Sequence, residues 1–151
     1  MRDIIQLRGH HLLCVLPYVG KGYTQEFINN FNSIVEQINH GAEIEITSGP
    51  DMICASLRRG FKTTCAHSNN CRKTSVRTRD HTALRDVARV LRIKVLKPGD
   101  RVRLKERDVR RLRHSFRHGA IRRACMSCEW HKVCSAIAAD HYADTLLFPN
   151  A

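Results

Sequence analysis

A chain of 151 residues with 42% apolar side chains has the length for one domain with its own core, and that apolar content excludes a solvated, disordered tail. Aromatics make up only 6%, so the core is expected to be aliphatic, and a formal charge of +12 is compatible with an acidic or anionic partner. No run approaches the roughly 20 apolar residues of a membrane span, and the short apolar run near the start is interrupted by two histidines, unlike a secretory leader.

The expected setting is therefore cytoplasmic, without membrane contact. Thiols stay reduced there, and clustered cysteines point to metal binding or catalysis before structural disulfides.

In chain order, "RGHHLLCVL" reads as a first helix ended by Pro17, with the glycine loop "GKGY" after it. Thr24 caps a second helix to about Asn39, in which Phe27, Phe31, Ile34, Val35 and Ile38 recur at helical spacing and Gly41 is the stop. "AEIEITSGPD" alternates as a short strand and turns at Gly49-Pro50. From Met52 to Thr74 no period is visible, yet three cysteines fall there, so something other than a core is expected to order that loop. Asp80 is expected to cap a helix through Leu84, Val87, Ala88 and Leu91, and "IKVLKPGDRVRL" reads as an extended pair turning at Pro98-Gly99. Val109, Leu112 and Phe116 mark an amphipathic helix that stops at Gly119, and a final helix is expected from about Cys134 to Leu147. The fold class that follows is mainly α with a short β-hairpin, a compact single-domain helical metalloprotein over residues 1–151.

The chemistry-bearing residues form three groups. His10 and His11 lie four and three residues before Cys14, so on a helix either shares a face with the thiol. The alternative there is a core histidine beside a buried thiol. Cys54, Cys65 and Cys71 form a middle triplet. Cys125, Cys128 and Cys134 form the last, opened by a C-x2-C turn that aims two sulfurs at one centre. Each triplet needs one more ligand to reach four, and Cys14 with His10 or His11 could supply them. Seven cysteines and one histidine suffice for two cubane clusters, or for one cluster and a separate metal. Zinc usually takes two matched pairs, and only one C-x2-C is present, while donor softness alone does not separate iron–sulfur from zinc. His67 and His131 are reserve ligands, and Trp130 is placed either to cover a cluster or to fill the core.

The positive charge is concentrated. From Arg72 to Arg123 there are nineteen Lys and Arg against five Asp and Glu, with Phe116 the sole aromatic. Such a segment can bind a nucleic-acid backbone, an acidic protein or an anionic ligand, or simply be a solvated helical surface. Without interleaved aromatics it lacks a base-stacking platform.

The strings "RGHHLLC" and "YVGKGY", then "GPDMIC", then C-x2-C-x-W with a further cysteine, resemble the small bacterial and archaeal proteins grouped as domain of unknown function family 1284, regarded as iron–sulfur-binding. The resemblance runs from Arg8 to Cys134. It implies a cluster carried by the cysteine positions, with no reaction assigned. No nucleophile elbow, P-loop or H-E-x-x-H marks an active site. The expected function is thus one or two iron–sulfur clusters, 4Fe–4S by type, serving electron transfer or redox sensing with a redox partner protein. The competing reading is a zinc-stabilised module whose basic face grips nucleic acid or an acidic protein, and thiol–disulfide chemistry stands third.

Overall fold

In a computed structural model of the chain the described residues are 4–55, 74–126, 128 and 130–151. Cys65, His67 and Cys71 lie outside them.

Two strands begin the architecture. In β1 (Ile4–Arg8) and β2 (Glu43–Thr47) the apolar residues alternate, so Ile5, Leu7, Ile44 and Ile46 face inward and are buried. The strands run parallel in register from Ile4 opposite Glu43 to Arg8 opposite Thr47. Parallel neighbours need a crossover. It is made by α1 (His11–Cys14) and α2 (Gln25–Asn39). Helix α2 matches its sequence pattern closely: Thr24 accepts a hydrogen bond from the Phe27 amide, the five apolar positions are buried, and Gly41 follows with φ +93°.

The first helix is shorter than expected. "IIQLR" has the period of a strand and enters the sheet, which leaves α1 a single turn. The corner between them is tight, for a Cβ on Gly9 would sit 2.3 Å from the Asp80 carbonyl oxygen and 2.8 Å from the Leu84 side chain. Only glycine lets this corner press against α3 (Thr74–Leu91). That helix begins well before Asp80, so Asp80 is not its cap but an interior residue turned toward the corner. The expected hairpin is also absent among the described residues. Its turn exists, with Gly99 at φ +96°, but the residues before it form no strand. Instead β3 (Arg101–Val102) pairs antiparallel with β2, and Gly99 and Asp100 bond the backbone of Ile46. The sheet order is β1-β2-β3.

Helix α4 (Glu106–Arg117) buries Val109, Leu112 and Phe116 and ends at Gly119, as its spacing predicts. It also buries Arg113, whose guanidinium donates to the carbonyls of Leu16, Leu147, Phe148 and Ala151 and so ties the tail to the core. A 3-10 turn over Arg123–Cys125 follows, then α5 (His131–Ala139). This last helix starts earlier and stops earlier than expected. Left-handed backbone at His141, Tyr142 and Asp144 ends it, and the Tyr142 hydroxyl donates to the Arg113 carbonyl. The fold is a mainly helical domain around a small three-stranded mixed sheet, and one continuous core joins sheet and helices.

Candidate metal centre

The site starts at the β1–α1 corner. Arg8 is 1% exposed, and its guanidinium grips the Asp80 carboxylate with Nε at 2.9 and 3.2 Å from the two oxygens and Nη2 at 2.8 Å. His10 reaches the same carboxylate twice, its amide at 3.1 Å and its ring Nδ1 at 2.6 Å from Oδ1. A second carboxylate, Asp51, accepts from the Arg8 amide and pairs with Nδ1 of His11 at 2.5 Å. Its other oxygen accepts from the amides of Ile53 and Cys54 and from the Cys54 thiol at 3.2 Å. Two buried anions thus hold Arg8, His10 and His11.

These contacts set protonation. Burial works against the Asp80 anion, yet hydrogen bonds from His10 and Arg8 outweigh it and hold the carboxyl down at about 2. Burial, helped by the adjacent His11, lowers His10 to about 4 despite the pull of Asp80. His10 is therefore neutral at pH 7. With its Nδ1 proton assigned to the Asp80 bond, Nε2 presents a lone pair, the arrangement in which a carboxylate orients a histidine for a ligand in front of it.

In front lies a cavity of about 380 Å³. His10 and His11 line it, and so do all five described cysteines, each a free thiol: Cys14, Cys54, Cys125, Cys128 and Cys134. They arrive from separate places. Cys14 ends α1, Cys54 follows the turn after β2, Cys125 closes the 3-10 turn, and Cys134 sits in α5. Within the C-x2-C, the Cys128 amide donates to the Cys125 carbonyl at 3.1 Å.

The five thiols divide into two kinds. Burial is the main cause that pushes the Cys14 thiol far up, and Cys125, Cys128 and Cys134 all add to it, which makes these four electrostatic neighbours. Cys134 is pushed to about 11 by burial and the same neighbours. Cys125 is raised by burial against the opposing pull of Arg122 and Arg79. Cys54 differs: burial first, then Asp51, push it up to about 12, and it serves as a donor to that carboxylate. The donor atoms of His11, Asp51 and Cys54 lie within 4.8 Å of one another, a weak three-donor metal set whose atoms already satisfy each other by hydrogen bonds.

At the cavity rim the Trp130 indole donates to the Tyr23 hydroxyl at 2.6 Å, and the two rings meet edge to face with centroids 5.4 Å apart. Trp130 is thus a cavity wall, half-buried, and His131 lines the same cavity.

Sequence reasoning named the thiols and both histidines but missed their backing. Asp51 was visible only as part of "GPDMIC", and Asp80 was read as a helix cap. Two further cations on the cavity wall, Arg79 and Arg122, had been counted with the basic surface.

A family model described as "Protein of unknown function (DUF1284)" matches residues 22–134, and the chain belongs to that family. The matched span contains Cys54, Cys125, Cys128 and Cys134, whereas "RGHHLLC" precedes it. The description names no activity. No curated protein and no solved structure matches.

Proposed function

We propose that this member of a family of unknown function binds an iron–sulfur cluster on Cys14, Cys125, Cys128 and Cys134, and that it carries or senses single electrons. The observation behind this reading is the convergence of four thiols from separated parts of the chain on one largely apolar cavity. Four thiolates are the usual ligand set of a cubane. Charge supports the same reading. A thiolate-bound cluster is an anion, and the described residues that line the cavity include Arg79 and Arg122 but no Asp or Glu. What such a cluster supplies when bound is a one-electron couple.

The chain's own residues do the rest. Cys125, Cys128 and Cys134 present thiols from one short segment, and Cys14 from the corner that Arg8, Asp51 and Asp80 brace. Because burial raises the thiols of Cys14, Cys125 and Cys134, these three would surrender a proton on ligation, so binding is expected to release protons and to weaken as pH falls. Trp130 and Tyr23 narrow the rim of the cavity.

The basic segment contributes less to the alternative of nucleic-acid binding than its charge implies. Arg113 is consumed by the core, Arg79 and Arg122 turn to the cavity, and Arg89 and Arg123 share the buried Asp86.

The deciding experiment is anaerobic purification or reconstitution with iron, zinc and acid-labile sulfide measured together. Brown protein with matched iron and sulfide, bleached by dithionite, is expected. Colourless protein with stoichiometric zinc and no sulfide would return the site to a structural metal.

A further inference from the structure

Three arginines among the described residues are buried: Arg8 is paired with Asp80, and the other two are used in opposite ways. Arg113, 2% exposed, spends its donors on main-chain carbonyls, as a clamp does. Arg122, 9% exposed, gives Nη1 to the Ser135 hydroxyl at 2.6 Å and Nη2 to the His131 carbonyl at 3.2 Å, with its guanidinium 4.4 Å from the Phe116 ring centre. Its Nε has no hydrogen-bond partner. Among the described residues it makes no ion pair either, although its neighbour Arg123 takes the buried carboxylate of Asp86. A buried guanidinium donor left open is costly unless an acceptor in the cavity completes it. Arg122 lines the thiol cavity, and its carbonyl accepts the amide of Cys125, so the residue with the open donor stands one turn before that cysteine.

We propose that Arg122 is the charge-pairing donor of the thiol centre: its Nε–H is kept for an anionic sulfur there, and its charge sets how easily the centre takes an electron. The ligand class is thiolate or inorganic sulfide, both of which accept hydrogen bonds and carry the charge that the cavity lacks. The inference rests on the cluster reading for its redox half and on the apo geometry alone for its pairing half. Pairing with a cation favours the more negative, reduced form, so Arg122 raises the reduction potential. Arg79, held by the Ala124 carbonyl at 2.9 Å, adds charge from the α3 side.

The test uses the full chain, reconstituted anaerobically with iron and sulfide, as wild type, Arg122→Met, Arg122→Lys and Ser135→Ala. Midpoint potential, iron content and melting temperature are read for each. The Met variant is expected to have a lower potential at equal iron content and to lose iron faster to a chelator. Lys keeps the charge but not the fork, so its potential should lie between. Ser135→Ala keeps the charge and frees one anchor of the guanidinium, so its potential should stay closer to wild type than that of the Met variant. Equal potentials in wild type and Met at equal iron content would overturn the proposal. Should the Met variant fail to fold, Arg122→Gln, which removes the charge and keeps a polar side chain, takes its place, and an unchanged potential in it does the same. A second readout needs no cluster: alkylation of Cys125 by iodoacetamide in the apo protein should slow severalfold in Arg122→Met. If wild type takes up no iron and sulfide but that slowing is seen, the cluster reading falls and the pairing stands. If the alkylation rate is unchanged, the pairing falls as well.

Discussion

The two walls of the thiol cavity are built by different means. On the β1–α1 side, Arg8, His10 and His11 are locked by two carboxylates, Asp80 and Asp51, and the backbone sits in a sheet register. On the other side, Cys125 to Cys134 is held by short-range turns, and α5 buries only Ala138 fully. Folding alone completes the first wall, whereas the second gains much from whatever its thiols bind. The pair teaches where the stability of the metal-free protein resides: in the corner that presents Cys14, not in the segment that carries Cys125, Cys128 and Cys134.

The sharpest way to break that contrast is to remove Asp80. Arg8 would then be a buried charge without its counter-ion, which typically costs about 3–5 kcal/mol. Asp80→Ala is expected to lose that much in urea unfolding of the metal-free protein, before any cofactor is considered. A loss below about 1 kcal/mol would mean that the corner is not the structural wall.

The opposite wall should respond in the opposite sense. Cys128→Ser is expected to leave metal-free melting close to wild type, yet to lose the bound metal and with it the rise in melting temperature on loading. Full occupancy and an unchanged rise in the variant would remove this triplet from the site.

These two substitutions also mark how far the sequence is legible. Helix α2 could be read to the residue because its cap, stripe and stop all lie within one local stretch, Thr24 to Gly41. The same holds for α4 and Gly119. Strand β1 was missed because five residues of alternation mean little until the partner, β2, is known, and pairing is not a local property. The turn at Pro98-Gly99 and the extended Arg101-Val102 after it were local and visible, while the partner of that strand, β2, was not. Asp80 shows the limit most clearly. A local rule makes an aspartate ahead of an apolar stripe a cap, but the residue it answers, Arg8, is 72 positions away. At the candidate site the donor types were plain, and which four thiols meet was not, since Cys14 joins the last triplet only through the packing of the corner.

Acid separates the walls by another route. His10 titrates at about 4 when folded against an ordinary 6.5, so the unfolded chain binds more protons between those values and stability must fall as pH drops from about 6.5 to about 4. Asp80 acts lower. Its carboxyl sits at about 2 against 3.8, and the stability it confers is present above 3.8 and lost as pH falls toward about 2. Urea midpoints of the metal-free protein are expected to decline in both windows. In His10→Gln the upper decline should flatten, and an identical slope in that variant would show that His10 is not the group responsible.

The smallest effect belongs to the rim that bridges the walls. The Trp130 indole N–H to the Tyr23 hydroxyl, at 2.6 Å, ties the thiol segment to the loop before α2, and the Tyr23 ring also meets Phe27 edge to face at 5.3 Å. Trp130→Phe keeps an aromatic wall but deletes the donor, and a bond of this kind contributes about 0.5–1.5 kcal/mol net. Because the rim is partly open to solvent, the lower end is expected in the metal-free protein. The consequence for a bound cluster is separate from that stability term. Loosening the rim admits water and dioxygen to the thiol centre, so bleaching in air should speed up in Trp130→Phe, and likewise in Tyr23→Phe, which removes the acceptor from the other side. If the contact is what closes the cavity, the double variant bleaches no faster than either single one, since both remove the same bond. Rates that multiply instead would mean that the two rings shield the centre independently, and the rim would be two separate walls and not one latch.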